Sequence, residues 1–203
     1  KLINKQSKDC NEHIRADWNL RSLDEACEII LGQSPPSETY NTEEIGLPFY
    51  QGKAEFGEIY PAPVKWCSKP KKIAQENDIL ISVRAPVGPT NLCQEDSCIG
   101  RGLAAIRPKS EMPSKYFLYY LRHIENTWET TGTTFNAITG SVLRKRRIPL
   151  PSLAVQHQIV AEIEQRLSVA VQIEETVDAG LKRAVRLKQA ILKCAFEGRL
   201  VSR

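Results

Sequence analysis

Residues 152–197 read SLAVQHQIVAEIEQRLSVAVQIEETVDAGLKRAVRLKQAILKCAFE, a run of 46 residues with no proline and one glycine. The run is far longer than the mean globular helix and dense in strong helix formers, so it predicts one continuous α-helix over 152–198. Its apolar residues recur at Ile159, Ile163, Leu167, Ala170, Ile173, Val177, Leu181, Ala184, Leu187, Ile191 and Ala195. Steps of three and four average about 3.6 residues per turn, which draws one straight stripe down one face. At about 1.5 Å per residue such a helix is on the order of 65 Å long, more than a small domain is wide, so much of it must project beyond its own globular part. The stripe therefore needs a second helix, with Ile159, Ile163, Leu167, Ile173, Val177, Leu181, Leu187 and Ile191 as the pairing residues. Gly180, near the centre, is the weak point, at about 1 kcal/mol against alanine.

The charges state how that second helix would lie. From His157 to Ala179 there are five acids and one base, and from Gly180 to Arg199 six bases and one acid. This order suits the helix macrodipole. A partner of the same polarity running antiparallel sets the acidic half against the basic half, whereas a parallel copy stacks like on like. The competing reading is a core helix of a bundle, but the preceding 150 residues are not helical in pattern and supply no bundle.

The chain has 203 residues, 41% hydrophobic and 26% charged, enough for one core plus an appendage. No apolar run approaches the ~18 residues of a membrane span and no leader pattern opens the chain, so a cytoplasmic home is expected. The opening residue is Lys1, so a fragment or a trimmed chain is expected. The six cysteines form no CxxC pair, and Cys93 with Cys98 lacks the second pair or nearby histidine of a zinc site. They read as reduced thiols, with no metal and no cofactor expected. The net charge of +4 is unevenly spread: residues 1–48 carry net −4, residues 49–151 net +6 and residues 152–203 net +2. A surplus in the middle hints at an anionic partner such as nucleic acid, though it is modest.

Along the chain, residues 1–17 are polar without periodicity, a linker or arm. The globular domain spans 18–151. Ser22 with Glu25 forms a capping box for a short helix ending near Gly32, and Gln33 to Asn41 is a turn-rich loop around Pro35 and Pro36. Candidate strands lie at Phe49–Gln51, Val64–Cys67, Asp78–Arg84 and Cys98–Arg107, each bounded by Pro or Gly. Ser114 caps a helix over Lys115–Glu125 that buries Phe117, Leu118, Leu121 and Ile124. Residues 127–139 are rich in Thr, Gly and Asn, and 141–150 carry the RKRR run before the long helix; a tail occupies 199–203. The fold class is α+β, a small mixed β-rich domain followed by a long projecting helix in an antiparallel, coiled-coil-like pair.

An ordered set of motifs carries a resemblance. It opens with W-x-L-x-x-L-D-E from Trp18, G-x-S-P-P-S from Gly32 and Tyr40-Asn41, followed by LPFYQGK at 47–53, NDILISVRAPVG at 77–88 and IGRGLAAIRP at 99–108. It ends with TGTTFNAITGSVL at 131–143, IPLPSLAVQHQIV at 148–160 and LKQAILKCAFEGRLV at 187–201. The chain resembles one half of a type I restriction-modification specificity subunit, over nearly everything from Trp18 to Val201. A complete member has two target recognition domains and two long helices, so this chain departs by having one of each, either as part of a longer protein or as a half-sized subunit that pairs with a copy of itself. The resemblance implies a non-catalytic subunit in which paired helices hold two domains apart, each reading one half of a split double-stranded DNA target. Modification subunits would dock on it and methylate adenine, and a restriction subunit would join the complex to cleave. The sequence carries no methyltransferase Asn/Asp-Pro-Pro-Tyr, no Gly-rich phosphate loop, no nuclease motif and no nucleophilic triad. The alternative is a scaffold built on the helix that never touches DNA.

Candidate DNA-contacting residues follow from chemistry and placement. Thr133, Thr134, Asn136 and Ser141 belong to a hydroxyl- and amide-rich segment; Asn136 can grip adenine bidentately and the hydroxyls can reach phosphate or a base edge, or all of them can simply close turns. In the family this loop faces the groove. Arg144 and Lys145 lead the basic run completed by Arg146 and Arg147, and Lys65, Lys69, Lys71 and Lys72 form a similar patch. Gln51 and Lys53 follow a strand, while Arg84 and Arg101 end or interrupt strands beside Gly or Pro turns. From such a position an arginine can fork onto guanine O6 and N7, or pair with a carboxylate.

Overall fold

The structure, a computed structural model, describes residues 18–130 and 137–200. The described chain divides into two units, one up to Gln158 and one from Ile159 onward. Its elements run β1 (Asn19–Ser22), α1 (Leu23–Ala26), β2 (Cys27–Leu31), β3 (Tyr40–Asn41), β4 (Leu47–Tyr50), β5 (Trp66–Cys67), β6 (Ile73–Ala74), β7 (Ile79–Ser82), β8 (Thr90–Leu92), β9 (Ser97–Ile99), β10 (Leu103–Pro108), α2 (Ser114–His123), α3 (Gly140–Lys145), β11 (Arg147–Leu150) and α4 (Leu153–Phe196).

The core is a pair of small sheets. One has four antiparallel strands in the order β2-β10-β7-β8, and the other five in the order β3-β5-β4-β9-β6, with β4 and β9 parallel. The ILIS of β7 is buried along its whole length, because both faces are covered and no polar alternation is required. Leu80, Leu103 and Ala105 of the first sheet pack on Tyr50, Ala74 and Ile99 of the second. Helix α2 packs against β7, β8 and β10, burying Phe117, Leu118, Leu121 and Ile124 as their spacing requires. Its first residue is Ser114 itself and Pro113 takes the cap position, so the expected Ser114 cap lies one residue earlier. The third sheet is the pair β1-β11, which returns the end of the domain to its beginning; Tyr116 Oη donates to the Pro149 carbonyl at 2.7 Å and holds that strand to α2.

Two sequence-based assignments are corrected. The Ser22–Glu25 capping bond is present, Ser22 N donating to Glu25 Oε2 at 3.0 Å, but the helix it opens lasts four residues. The following CEIIL extends into β2, where Ile29 and Ile30 pair with Ile106 and Ala105 of β10; β-branched residues opposite a buried strand outweigh a four-residue helix. The single strand expected over Cys98–Arg107 is two, β9 and β10, separated by a turn at Gly100–Gly102. Strand β7 is anchored at its start by Asp78, which is buried and accepts Arg107 Nε and Nη2 at 2.9 Å each, with the Gln75 N–H at 2.8 Å as a third donor. The Asp78 carboxylate raises the Arg107 pKa above its usual value. Burial pushes the Cys27, Cys98 and Tyr50 pKa values up to about 12 and that of Cys93 to about 11; all four cysteines from Cys27 to Cys98 are free.

Helix α4 is 44 residues long, about 66 Å at ~1.5 Å per residue, and runs unbroken through Gly180. Its unit exposes Leu167 (48%), Ile173 (58%), Val177 (55%), Leu181 (61%), Leu187 (60%) and Ile191 (48%), while Ile163 is half-buried. Val169, Val171, Val185 and Leu192, off the expected stripe, are exposed as well. Arg166 pairs with Glu162 at 2.6 Å one turn away, a surface contact worth about 0.3–0.5 kcal/mol. No described helix is long and apolar enough to cross a membrane.

Candidate nucleic-acid interface

Three strand ends of the globular unit converge, and glycine makes the convergence possible. A Cβ on Gly102 would stand 2.1 Å from the Gln51 carbonyl oxygen, and one on Gly32 would stand 2.1 Å from that of Gly100. Only a residue without a side chain lets these backbones touch. Gly100 N donates to the Tyr50 carbonyl at 2.8 Å and Val83 N to that of Gly102 at 2.9 Å, so the β9–β10 turn is clamped between the end of β4 and the end of β7. Arg101 sits at the tip of that turn, its own N–H donating to Ser34 Oγ at 3.2 Å.

The consequence is a cleft of about 260 Å³ that brings together Gln51, Lys53, Arg84 and Arg101, four residues singled out from sequence at positions up to 50 apart, with Ser34 and Ser82 beside them. Arg84 and Arg101 are exposed, and no hydrogen bond or ion pair engages their side chains among the described residues. Among the described residues no carboxylate lines the cleft, although Glu55 Oε2 accepts the Gly52 N–H at its edge at 3.1 Å. Three cations held together make a local positive potential that an anion relieves. The carbonyl of Arg84 accepts Ser82 Oγ at 3.0 Å, which fixes the backbone where β7 ends. A second hollow, also about 260 Å³, shares Arg84 and Arg101 and has an apolar floor that includes Leu31, Val83, Leu103 and Ile138.

The described chain resumes at Ala137, bridged to Arg84, with Ile138 N donating to the Val83 carbonyl at 2.9 Å. Thr133, Thr134 and Asn136 lie outside the described residues. Ser141 is exposed on α3, and its hydroxyl is shared with Thr139 at 2.9 Å, the residue whose Oγ1 caps that helix through Val142 N. The basic run divides. Arg144 and Lys145 are exposed in the last turn of α3, where cations suit the dipole. Arg146 instead lies over the Trp128 ring at 5.2 Å and donates to Thr127 Oγ1 at 2.6 Å, and Arg147 donates to the Leu20 carbonyl at 3.0 Å. A groove of about 440 Å³ lined by Ser141, Lys145, Arg146, Arg147 and Glu129 runs beside them. Lys65, Lys69, Lys71 and Lys72 are exposed and line none of these hollows. Sequence reasoning passed over Ser34 and Ser82; the first stands in the Pro-rich loop and the second inside a buried strand, where a hydroxyl gives no signal of its own.

Residues 15–183 match the family model described as the type I restriction modification DNA specificity domain. The chain is 42% identical over 182 residues to the putative type I restriction enzyme MjaX specificity subunit of Methanocaldococcus jannaschii, an alignment covering 86% of this chain and 43% of that one. Over 94% of its length it is similar to the crystal structure of the HsdS subunit from Thermoanaerobacter tengcongensis, with TM-score 0.75, 44% identity and 47% of that chain covered. A chain solved in work on complex assembly and conformational transition of the type I R-M system matches at TM-score 0.80 and 47% identity, again over 94% of this chain and 48% of that one. The chain thus spans about half the length of the relatives it matches.

Proposed function

The chain belongs to the type I restriction modification DNA specificity family, and on that premise we propose that its globular unit reads one half of a bipartite duplex DNA target while its long helix pairs antiparallel with a second such helix. The observation that carries the reading is the cleft that brings Lys53, Arg84 and Arg101 together. A guanidinium presented from a strand end can fork onto guanine O6 and N7, and Gln51 beside it can bond an adenine edge. Lys53, Arg144 and Lys145 are assigned to phosphate, which fixes register and carries no sequence information. In this reading Thr133, Thr134, Asn136 and Ser141 complete the contact surface.

The helix supplies the second half of the function. Its exposed leucines, isoleucines and valines are apolar area that a partner helix buries, from a second half-subunit or a second copy of the chain. The paired helices set the distance between two half-sites and offer a surface to modification subunits, and a restriction subunit joins the complex through them. The chain itself catalyses nothing; its work is to place the enzymes that methylate and cleave, in the cell interior where the DNA is. Duplex binding by fluorescence anisotropy across a salt series tests the reading. Affinity should fall steeply with salt, at about −0.9 per neutralised phosphate; Arg144→Gln with Lys145→Gln should flatten that slope, and Arg84→Gln with Arg101→Gln should narrow the gap between cognate and scrambled duplex. A salt-independent affinity, or none, would refute it.

A further inference from the structure

Lys53 has a second neighbourhood. It also lines a separate hollow of about 280 Å³ with Phe56, Gly57, Thr90, Arg122 and Glu125. Lys53 is therefore common to this hollow and to the Arg84–Arg101 cleft, and the two adjoin.

Arg122 is the unusual member. It stands in the last turn of α2, and its Nη2 donates to the carbonyls of Glu58 and, at 3.3 Å, of Thr90. A guanidinium has five N–H donors and no acceptor, so main-chain carbonyls on one nitrogen orient the group without neutralising it. Arg107, by contrast, is balanced by Asp78 and Glu28, and Arg166 by Glu162. Arg122 has no ion pair among the described residues. The floor of the same hollow includes Thr90, whose hydroxyl is buried without a hydrogen-bond partner. Asn91 braces the rim from behind, Gly57 N donating to its Oδ1 at 3.1 Å and its Nδ2 to the Gly57 carbonyl at 3.0 Å.

We propose that the Lys53–Arg122 hollow is a phosphate seat for the DNA backbone, flanking the cleft that reads bases; the assignment rests on the DNA-reading function proposed above. An oriented guanidinium, bonded through Nη2 alone among the described residues, suits a phosphate, with which arginine makes short, charge-assisted, often bidentate bonds. Lys53 lies between the two hollows and answers either the same phosphate or the next one. Glu125 is the opposing charge in the hollow and moderates its affinity. The contact would be sequence-independent and would set the register in which Arg84 and Arg101 meet the base edges.

The test needs no knowledge of the target, because a phosphate contact is present on any duplex. Binding of the chain to a labelled duplex of mixed sequence is measured between about 50 and 200 mM salt, where counterion release dominates. Arg122→Gln should reduce the slope of log K against log salt by about 0.9, the value for one phosphate, whereas Arg122→Lys, which keeps the charge, should retain the slope. Glu125→Gln should bind about 2–5-fold more tightly, the size of a screened surface pair, a gain that no folding defect can imitate. A slope unchanged in Arg122→Gln, or an affinity unchanged in Glu125→Gln, overturns the phosphate seat. If Arg144→Gln with Lys145→Gln still flattens the slope, the DNA-reading function stands without it; if the unaltered chain shows no salt-dependent binding, both fall.

Discussion

The globular unit and the long helix dispose of their apolar residues in opposite ways. In the first, Ile79, Leu80, Ile81, Leu103 and Ile106 are fully buried and the exposed arginines ring a cleft; in the second, from Leu167 to Ile191, every residue is exposed, leucines included. A domain that covers its own core is stable by itself. A helix that covers nothing draws its stability from what it meets, since isolated helices are marginal in water. In the proposed function one unit holds a fixed surface and the other is completed by a partner helix.

The largest effect should come from breaking that completion. Replacing Leu167 and Leu181 together by Glu removes two leucines that the proposed helix pair would bury, each worth about 1.5–3 kcal/mol, and, where the pair is two copies of this chain, places four carboxylates in its seam. Light scattering should show the pair dispersed at concentrations where the unaltered chain is associated, with the chemical stability of the globular unit unchanged. An unchanged mass would mean the stripe is not the interface.

Next in size is the converse. Leu80→Ala should cost about 2–5 kcal/mol in urea unfolding, because Leu80 is fully buried between the two sheets. Leu181→Ala, in a solution dilute enough to be monomeric, should change stability by no more than about 0.5 kcal/mol. Equal costs would show that the helix is packed on something within its own chain.

Alkaline pH should separate the units again. Burial, which disfavours the thiolate, pushes the thiols of Cys27 and Cys98 up to about 12 and that of Cys93 to about 11, from an ordinary 9.0. Below pH 9 both states hold these protons and nothing changes. Between 9 and about 11–12 the unfolded chain releases them while the folded one does not, so the unfolded state binds fewer protons and stability falls as pH rises. The slope is about 1.4 kcal/mol per pH unit for each fully differential proton. Tyr50, raised from 10.0 to about 12 by burial, adds to the loss from pH 10 upward. The urea midpoint of the globular unit should therefore drop between pH 8 and pH 10.5, and a flat profile would mean that the thiols are not buried in solution.

What the sequence disclosed follows the same division. The helix was legible because its signal is local and repeated: a period of three and four over ten turns needs no tertiary information. Helix α2 was legible for the same reason, through Phe117, Leu118, Leu121 and Ile124. The short strands were not. Strands β3, β5 and β6 have two residues each and exist only because partners far along the chain complete their ladders. The helix that was expected to reach Gly32 gave way to β2 because β10, some 75 residues later, offered Ile106 and Ala105 as partners. At the cleft the signal was chemical: arginine next to a Gly or Pro turn at a strand end. That was enough to choose Arg84 and Arg101, but their meeting with Lys53 depends on the Gly102–Gln51 backbone approach, which no local pattern announces. Arg122 was passed over because a helical arginine with an ordinary apolar face beneath it looks like a solvated one.

The smallest effect, and the finest division, lies inside the RKRR run. Arg146 spans Trp128 and Thr127 while Arg144 and Lys145 stand in solvent, so four adjacent bases should separate into two kinds. Arg146→Ala should lower stability by about 1–2 kcal/mol, the worth of a partly desolvated cation–π contact together with charged hydrogen bonds, and should weaken DNA binding only as far as folding is lost. Arg144→Ala with Lys145→Ala should leave the urea midpoint within about 0.5 kcal/mol yet flatten the salt slope by about one to two units on cognate and scrambled duplex alike. Each variant is measured twice, by unfolding and by salt titration. If Arg144→Ala with Lys145→Ala altered neither quantity, those two cations would be ordinary solvated charges, and phosphate contact would be confined to the side of the domain that carries Lys53 and Arg84.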